Sequence, residues 1–217
     1  MNIKVLVACE ESQAVCKAFL DRGFDAWSCD LKPCSGDIPE RHIQMDCFDA
    51  ISLRDWDLVI AHPPCTYLAV CGNRWMKNKN GTINESRMQD RLNALEFFGK
   101  FLDLDIPYVA IENPIGVAST HFRKPDQIIE PWMFGEPFSK KTCLWLKGLP
   151  KLEPTEIVDR GEIVVFPSGK RMPKWYADLY GLPKDKRQEM RSKTFHGIAD
   201  AMAKQWGDFL KEKKDDH

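Results

Sequence analysis

A doubly wound α/β fold on a mostly parallel sheet is predicted for this chain by three observations. The amino-terminal segment runs from an apolar strand, Ile3 to Ala8, through a helical stretch, Ser12 to Leu20, into a second strand from Asp25 to Ser28, which is a βαβ opening. The apolar run Leu58-Val59-Ile60-Ala61 stops at Pro63-Pro64-Cys65, where the fixed backbone of a double proline holds the next side chain at a strand end. A helical segment, Asn84 to Asp103, then leads to another short apolar strand, Tyr108-Val109-Ala110-Ile111, and completes a strand, helix, strand unit.

Taken in chain order, each element suggests a task. The second strand ends at Cys29-Asp30, and an acid at that point is where such folds meet ribose hydroxyls. Asp30 is therefore a candidate cofactor residue; a solvated turn aspartate is the plainer alternative. His42 to Asp46 is a weaker third strand end, bringing Asp46 to the same edge. Cys65 stands outside the carboxyl end of a strand, where the ligand crevice of an open α/β sheet lies, so it reads as a nucleophile or, more plainly, as a small buried hydrophobe. Thr66 to Thr82 is an irregular stretch with Cys71, Gly72, Arg74, Trp75, Lys77, Lys79 and Gly81. Basic residues for phosphate and a tryptophan for base stacking make it a candidate lid, with Arg74, Trp75 and Lys77 as substrate residues. The helix after it places Leu92, Leu95, Phe98 and Leu102 on one face. Glu112-Asn113-Pro114 ends the next strand, so that a carboxylate faces the same crevice as the thiol. Phe138 to Leu146 is a basic turn entering an apolar strand, with Lys140 and Lys141 as candidate base or phosphate contacts. Ile157 to Lys170 suggests a small hairpin, and from Ser168 to Lys193 eight basic residues face three acidic ones, interleaved with Trp175, Tyr176 and Tyr180. A last helix is expected from Ile198 to about Leu210, with His196 at its start as a capping or packing residue.

Pro63-Pro64-Cys65 and Glu112-Asn113, in this order on consecutive strands, resemble the Pro-Cys nucleophile and Glu-Asn dipeptide of the DNA cytosine-5 methyltransferase family. The resemblance spans most of the chain in patches. It implies the Rossmann-like sheet of S-adenosylmethionine-dependent methyltransferases, S-adenosylmethionine as cofactor, and DNA as partner. By the same resemblance Cys65, Glu112 and Asn113 are catalytic, Asp30, Asp46 and Pro63 join the cofactor set, and Asp46 lies toward the adenine amino group. The chemistry explains the residue types independently. Carbon 5 of cytosine is a poor nucleophile until a thiolate adds at carbon 6, and a carboxyl group whose pKa is raised in a partly dry pocket assists by donating to ring nitrogen 3. Cys65 and Glu112 fit those parts, with Asn113 orienting the loop or the base.

The chain departs from that family in two places. Where the family has a Phe-x-Gly-x-Gly turn after the first strand, this chain has Cys9-Glu10-Glu11-Ser12-Gln13. Either Glu10 or Glu11 meets the cofactor's amino group by charge, which is the favoured reading, or the cofactor differs, or the pocket has decayed. The glutamates also suit the positive end of the following helix, with Ser12 as its cap. A long target-recognition domain has no room here; the compact basic and aromatic stretch at about 150–193 stands in its place. Low sequence specificity, a partner protein supplying recognition, and a free pyrimidine nucleotide as substrate all stay open. Two rivals remain: an amino-methyltransferase, disfavoured by His62 and Cys65 on either side of the prolines, and a non-catalytic binding module that keeps the fold.

With 217 residues, 43% of them hydrophobic, and a net charge of −1, the chain is expected to form one domain over residues 1–217 and not to coat nucleic acid by bulk charge. Its eight cysteines include no Cys-x-x-Cys pair, so no metal site and no disulfide framework are expected, which points to a reducing cytoplasm. No signal peptide or membrane span is read, and a charged tail runs from Lys211 to His217.

Overall fold

The computed structural model describes residues 3–216. Seven strands form one sheet: β1 (Lys4–Ala8), β2 (Asp25–Asp30), β3 (His42–Gln44), β4 (Leu58–Ala61), β5 (Tyr108–Pro114), β6 (Gln127–Ile129) and β7 (Thr142–Lys147). Their order is β3-β2-β1-β4-β5-β7-β6. β1 to β5 pair in parallel, whereas β7 runs antiparallel to both β5 and β6. A mostly parallel sheet in this order, with a reversed β7 and helices on both faces, is the doubly wound Rossmann-like fold of the methyltransferase type. The chain steps outward from β1 to β3, then crosses back to β4 on the other side of β1. That reversal opens a crevice beyond the carboxyl ends of β1 and β4, the position where open α/β sheets take their ligands.

The helices are α1 (Ala14–Leu20), α2 (Cys47–Ser52), α3 (Glu85–Leu102), the single turn α4 (Ala118–His121), α5 (Lys174–Asp178), α6 (Lys184–Ser192) and α7 (His196–Asp215). Strand period sorts the core into two layers. Val5, Val7, Leu58 and Ile60 face α1 and α7, meeting Phe19, Met202 and Trp206. Leu6, Ala8, Val59 and Ala61 face α2 and α3, meeting Ala50, Phe98 and Phe101. All eight strand residues are fully buried, which is why β1 and β4 read as unbroken apolar runs. In α7, Gly207 lies where a Cβ would come within 2.5 Å of the Phe24 ring, so only a hydrogen there lets the helix sit this close.

Several boundaries differ from the sequence reading for identifiable reasons. β5 does not stop at Ile111 but continues through Glu112, Asn113 and Pro114, because β7 pairs with it to the end, Pro114 opposite Thr142. On its other side β4 has already ended, so the missing N–H of Pro114 costs no ladder bond. α3 starts after Asn84, whose side chain accepts from Arg87 N, and ends at Asp103, as expected. Its buried stripe, however, is Leu95, Phe98 and Phe101; Leu92 is 49% exposed, because the first half of the helix covers the 66–76 segment and not the sheet. That segment is not wholly irregular: Val70–Met76 winds as a 3-10 helix. The expected hairpin forms from β8 (Ile163–Val165) and β9 (Arg171–Pro173), apart from the main sheet. α7 runs longer than expected, absorbing most of the charged tail; His217 lies outside the described residues. Among the described residues no helix is long and apolar enough to cross a membrane.

Trp206 is fully buried and donates its indole N–H to Pro150 O at 3.0 Å. Trp206→Ala removes that bond and opens a cavity beneath β1 and β4, and should lower unfolding free energy by about 3–5 kcal/mol in urea titrations followed by circular dichroism.

Candidate active site

The parallel register of β4 and β5 pairs Ala61 with Ile111, so the next two residues of each strand, His62 and Pro63, run beside Glu112 and Asn113. Two hydrogen bonds follow from that alignment. His62 Nδ1 lies 3.0 Å from Glu112 Oε2, and Asn113 Nδ2 donates to Pro63 O at 2.7 Å. Asn113 is buried and anchors the backbone that presents Cys65, two residues further on. Cys65 O then accepts from Leu68 N and Ala69 N at 3.1 and 2.9 Å, closing a turn that holds the thiol at the strand end. The sequence-predicted pair is therefore brought together: Cys65 and Glu112 stand close enough that the carboxylate's charge acts on the thiol.

Burial pushes the Cys65 thiol above its ordinary value, the Glu112 charge adds to that, and Lys140 opposes both. A neutral resting thiol results, and attack requires the proton to leave once a substrate is bound. Glu112 differs from the expectation of a raised carboxyl pKa. Burial does push it up, but the hydrogen bond and charge of His62, with help from Lys140, pull it below its ordinary value. An ionised carboxylate only accepts, so Nδ1 of His62 carries the hydrogen. Burial pulls the imidazole down, but the bond and charge of Glu112 and the charge of Glu10 raise it above its ordinary value. Glu112 and His62 thus form a buried ion pair; their side chains are only 14% and 11% exposed.

Glu10 is the second acid behind His62. It is 4% exposed, and its two oxygens accept from Val15 N at 2.7 Å and Cys16 N at 3.1 Å, which seals the amino end of α1. Of the two acids read as partners for a cofactor's amino group, Glu10 already accepts from α1 with both oxygens, and Glu11 is half-buried. Ser12 does not cap the helix; Gln13 occupies the cap position in a left-handed conformation, φ 59°. Cys9 is left-handed too, φ 61°. The turn after β1 thus keeps a glycine-like backbone without glycines, a strain that packing must hold. Gln13 supplies part of that hold, donating to Ser28 Oγ and Ile38 O and accepting from Ile38 N.

Asp30 closes β2, with Oδ1 accepting from Lys32 N at 2.9 Å. Asp46 caps α2 through Phe48 N at 2.8 Å. In each, the other carboxylate oxygen makes no hydrogen bond among the described residues. Among the described residues no cluster of His, Cys, Asp or Glu is arranged to hold a metal ion.

The basic candidates separate. Lys140 reaches inward: its Nζ donates to Arg191 O at 3.0 Å, and its charge acts on Cys65, Glu112 and His62. Lys141, Lys77 and Arg74 are exposed, and Arg74 stacks over the Trp75 ring at 4.6 Å. Arg87 and Arg91, which the sequence places off the apolar face of α3 without a task, tether the 66–76 segment through Thr66 O, Tyr67 O and Asn73 Oδ1. In the carboxyl-terminal part of the chain, Arg191 stacks over Tyr176 at 4.3 Å and Trp175 packs against Phe195. His62 was also missed as a site residue; its signal was a titratable side chain between an apolar strand and the prolines.

No family model and no curated protein matches the chain. Among solved structures it is similar to an E. coli protein described as a candidate DNA modification methyltransferase encoded within a prophage, with 16% identity and a TM-score of 0.43. The match covers 84% of this chain and 56% of that one, so the chain spans little more than half that protein's length. The fold assignment rests on the strand order itself.

Asn113→Ala removes a buried bond to Pro63 O and should cost about 1–3 kcal/mol of stability in denaturant titration. The buried pair also gives a pH signature. Glu112, depressed on folding, contributes stability above its unfolded value near 4.5 that is lost as pH falls through its folded pKa. His62, raised on folding, contributes stability below its unfolded value near 6.5 that is lost as pH rises through its folded pKa. Urea midpoints of the wild type minus those of His62→Asn should therefore be largest between those two pH values and shrink on either side.

Proposed function

We propose that the protein transfers a methyl group from S-adenosylmethionine to carbon 5 of cytosine, with DNA as the default substrate, through a covalent Cys65 adduct. The observation that carries this reading is the meeting of Cys65 and Glu112 at the carboxyl ends of adjacent parallel strands, beside the switch point of the sheet. The cofactor, when bound, supplies a sulfonium-activated methyl group. Asp30, Asp46 and Glu11 hold its nucleoside and amino ends from β2, β3 and the turn after β1. As the Cys65 proton passes to solvent, Sγ adds to carbon 6 and the electron pair of the 5,6 double bond moves to carbon 5, which would take the methyl group; loss of the carbon 5 proton to solvent then re-forms the double bond and the carbon 6–sulfur bond breaks to return Cys65. Glu112, as an ionised acceptor, takes a hydrogen bond from the 4-amino group of the ring, and Lys140 favours the thiolate by its charge. Asn113 keeps the nucleophile turn in place through Pro63. Arg74, Trp75, Lys77 and Lys141 contact the nucleic acid, together with the aromatic residues of the carboxyl-terminal part.

Transfer of a labelled methyl group from S-adenosylmethionine to duplex DNA, single-stranded DNA and free cytidine nucleotides tests this. Label should enter one of the DNA substrates at carbon 5 of cytosine and fall to background with Cys65→Ala. Label in free nucleotides alone would name a nucleotide-modifying enzyme, and none in any substrate would favour a binding module that keeps the fold.

A further inference from the structure

We infer that His62 is a positioning residue for this reaction: through its Nδ1 bond it fixes the orientation and the charge of Glu112, so that the site meets its substrate with an anionic acceptor. The inference rests on the functional reading above for its consequence in catalysis, though not for the pairing itself. Geometry carries it. Residues 62 and 112 are register neighbours on β4 and β5, the Nδ1 to Oε2 distance is 3.0 Å, and both side chains are largely buried. His62 has no other hydrogen-bond partner at the ring: Nε2 is buried and meets none among the described residues. A histidine placed only to satisfy the core would have both nitrogens matched. Here the one hydrogen bond that the ring makes is directed at Glu112 Oε2, and the carboxylate's other oxygen makes none among the described residues.

The charged groups around the imidazole come from three elements. Glu112 faces it from β5, Glu10 from the turn after β1, and Lys140 from the segment before β7. Two acids against one lysine favour a cationic ring. Because Glu10 also seals the amino end of α1, His62 stands between the cofactor turn and the substrate carboxylate. An ionised Glu112 selects a group that bears hydrogen on nitrogen, as the exocyclic 4-amino group of cytosine does. Without its cation, a carboxyl group this buried takes up a proton and turns from acceptor to donor.

Two variants separate orientation from charge. Asn at this position keeps an N–H near the place of Nδ1 but cannot be cationic; Ala keeps neither. Carbon-13 NMR of the labelled Glu112 carboxyl, assigned with Glu112→Gln, reads the charge state directly and independently of activity. The midpoint should lie below the ordinary carboxylate range in the wild type and rise by about one pH unit or more in His62→Asn. The acid limb of methyl transfer should rise with it. Above that limb His62→Asn should lose less kcat than His62→Ala, which falls roughly tenfold or more through loss of orientation. A midpoint unmoved in both variants overturns the inference whatever the activity. A midpoint that moves while the acid limb stays also overturns it, because the charge of Glu112 would then be idle. A wild type that transfers no methyl group but shows the shifted midpoint overturns the functional reading and leaves the hold of His62 on Glu112 standing.

Discussion

The register between β4 and β5 is the constraint on which the site depends. With Ala61 opposite Ile111, the residues just beyond each strand fall into pairs, His62 with Glu112 and Pro63 with Asn113, and each pair makes one buried hydrogen bond. A slip of one residue would turn Glu112 to the other face of the sheet and break both. That register is in turn held by packing: Leu58 and Ile60 are locked into one layer and Val59 and Ala61 into the other, so β4 cannot slide without exposing apolar surface on both faces. Cys65 is thus placed by the core, and the double proline extends that placement to the fourth residue past the strand.

The cofactor side of the crevice is built differently. There the chain adopts a left-handed backbone at Cys9 and Gln13 without glycine, and the amide of Gln13 binds both main-chain groups of Ile38. This ties the loop after β2 to the start of α1. Gly36 lies against Gln13 so closely that a Cβ would come within 2.7 Å of its amide oxygen. Glu10 completes the arrangement by supplying an internal carboxylate to helix N–H groups that an anionic ligand would otherwise use. Under the proposed function Glu11, Asp30 and Asp46 would meet hydroxyl and amino groups of the cofactor, since carboxylates repel phosphate.

Much of this was legible in the sequence because it depends on local signals. β1 and β4 announce themselves as apolar runs, α3 is bracketed by Asn84 and Asp103, and the thiol and carboxylate follow their strands directly. What escaped depends on partners distant in the chain. β5 runs three residues further than its apolar run because β7 lies alongside, and nothing near Glu112 encodes that. Leu92 fits the helical period yet is exposed, since the half of α3 that carries it covers the 66–76 segment. The charge of Glu112 was misread for the same reason: its burial could be inferred, but its pairing with His62, fifty positions earlier, required the register. Glu10 and Glu11 look alike in sequence, and only the path of the turn decides which one α1 engages.

The most direct test of the central claim is intact-mass analysis of the protein incubated with S-adenosylmethionine and DNA containing 5-fluorocytosine, in which fluorine at carbon 5 blocks release of the adduct. The account predicts a covalent protein–DNA species, mapped by peptide sequencing to Cys65 and absent in Cys65→Ala. A methylated product formed without any such species, or an adduct mapped to another cysteine, would contradict it.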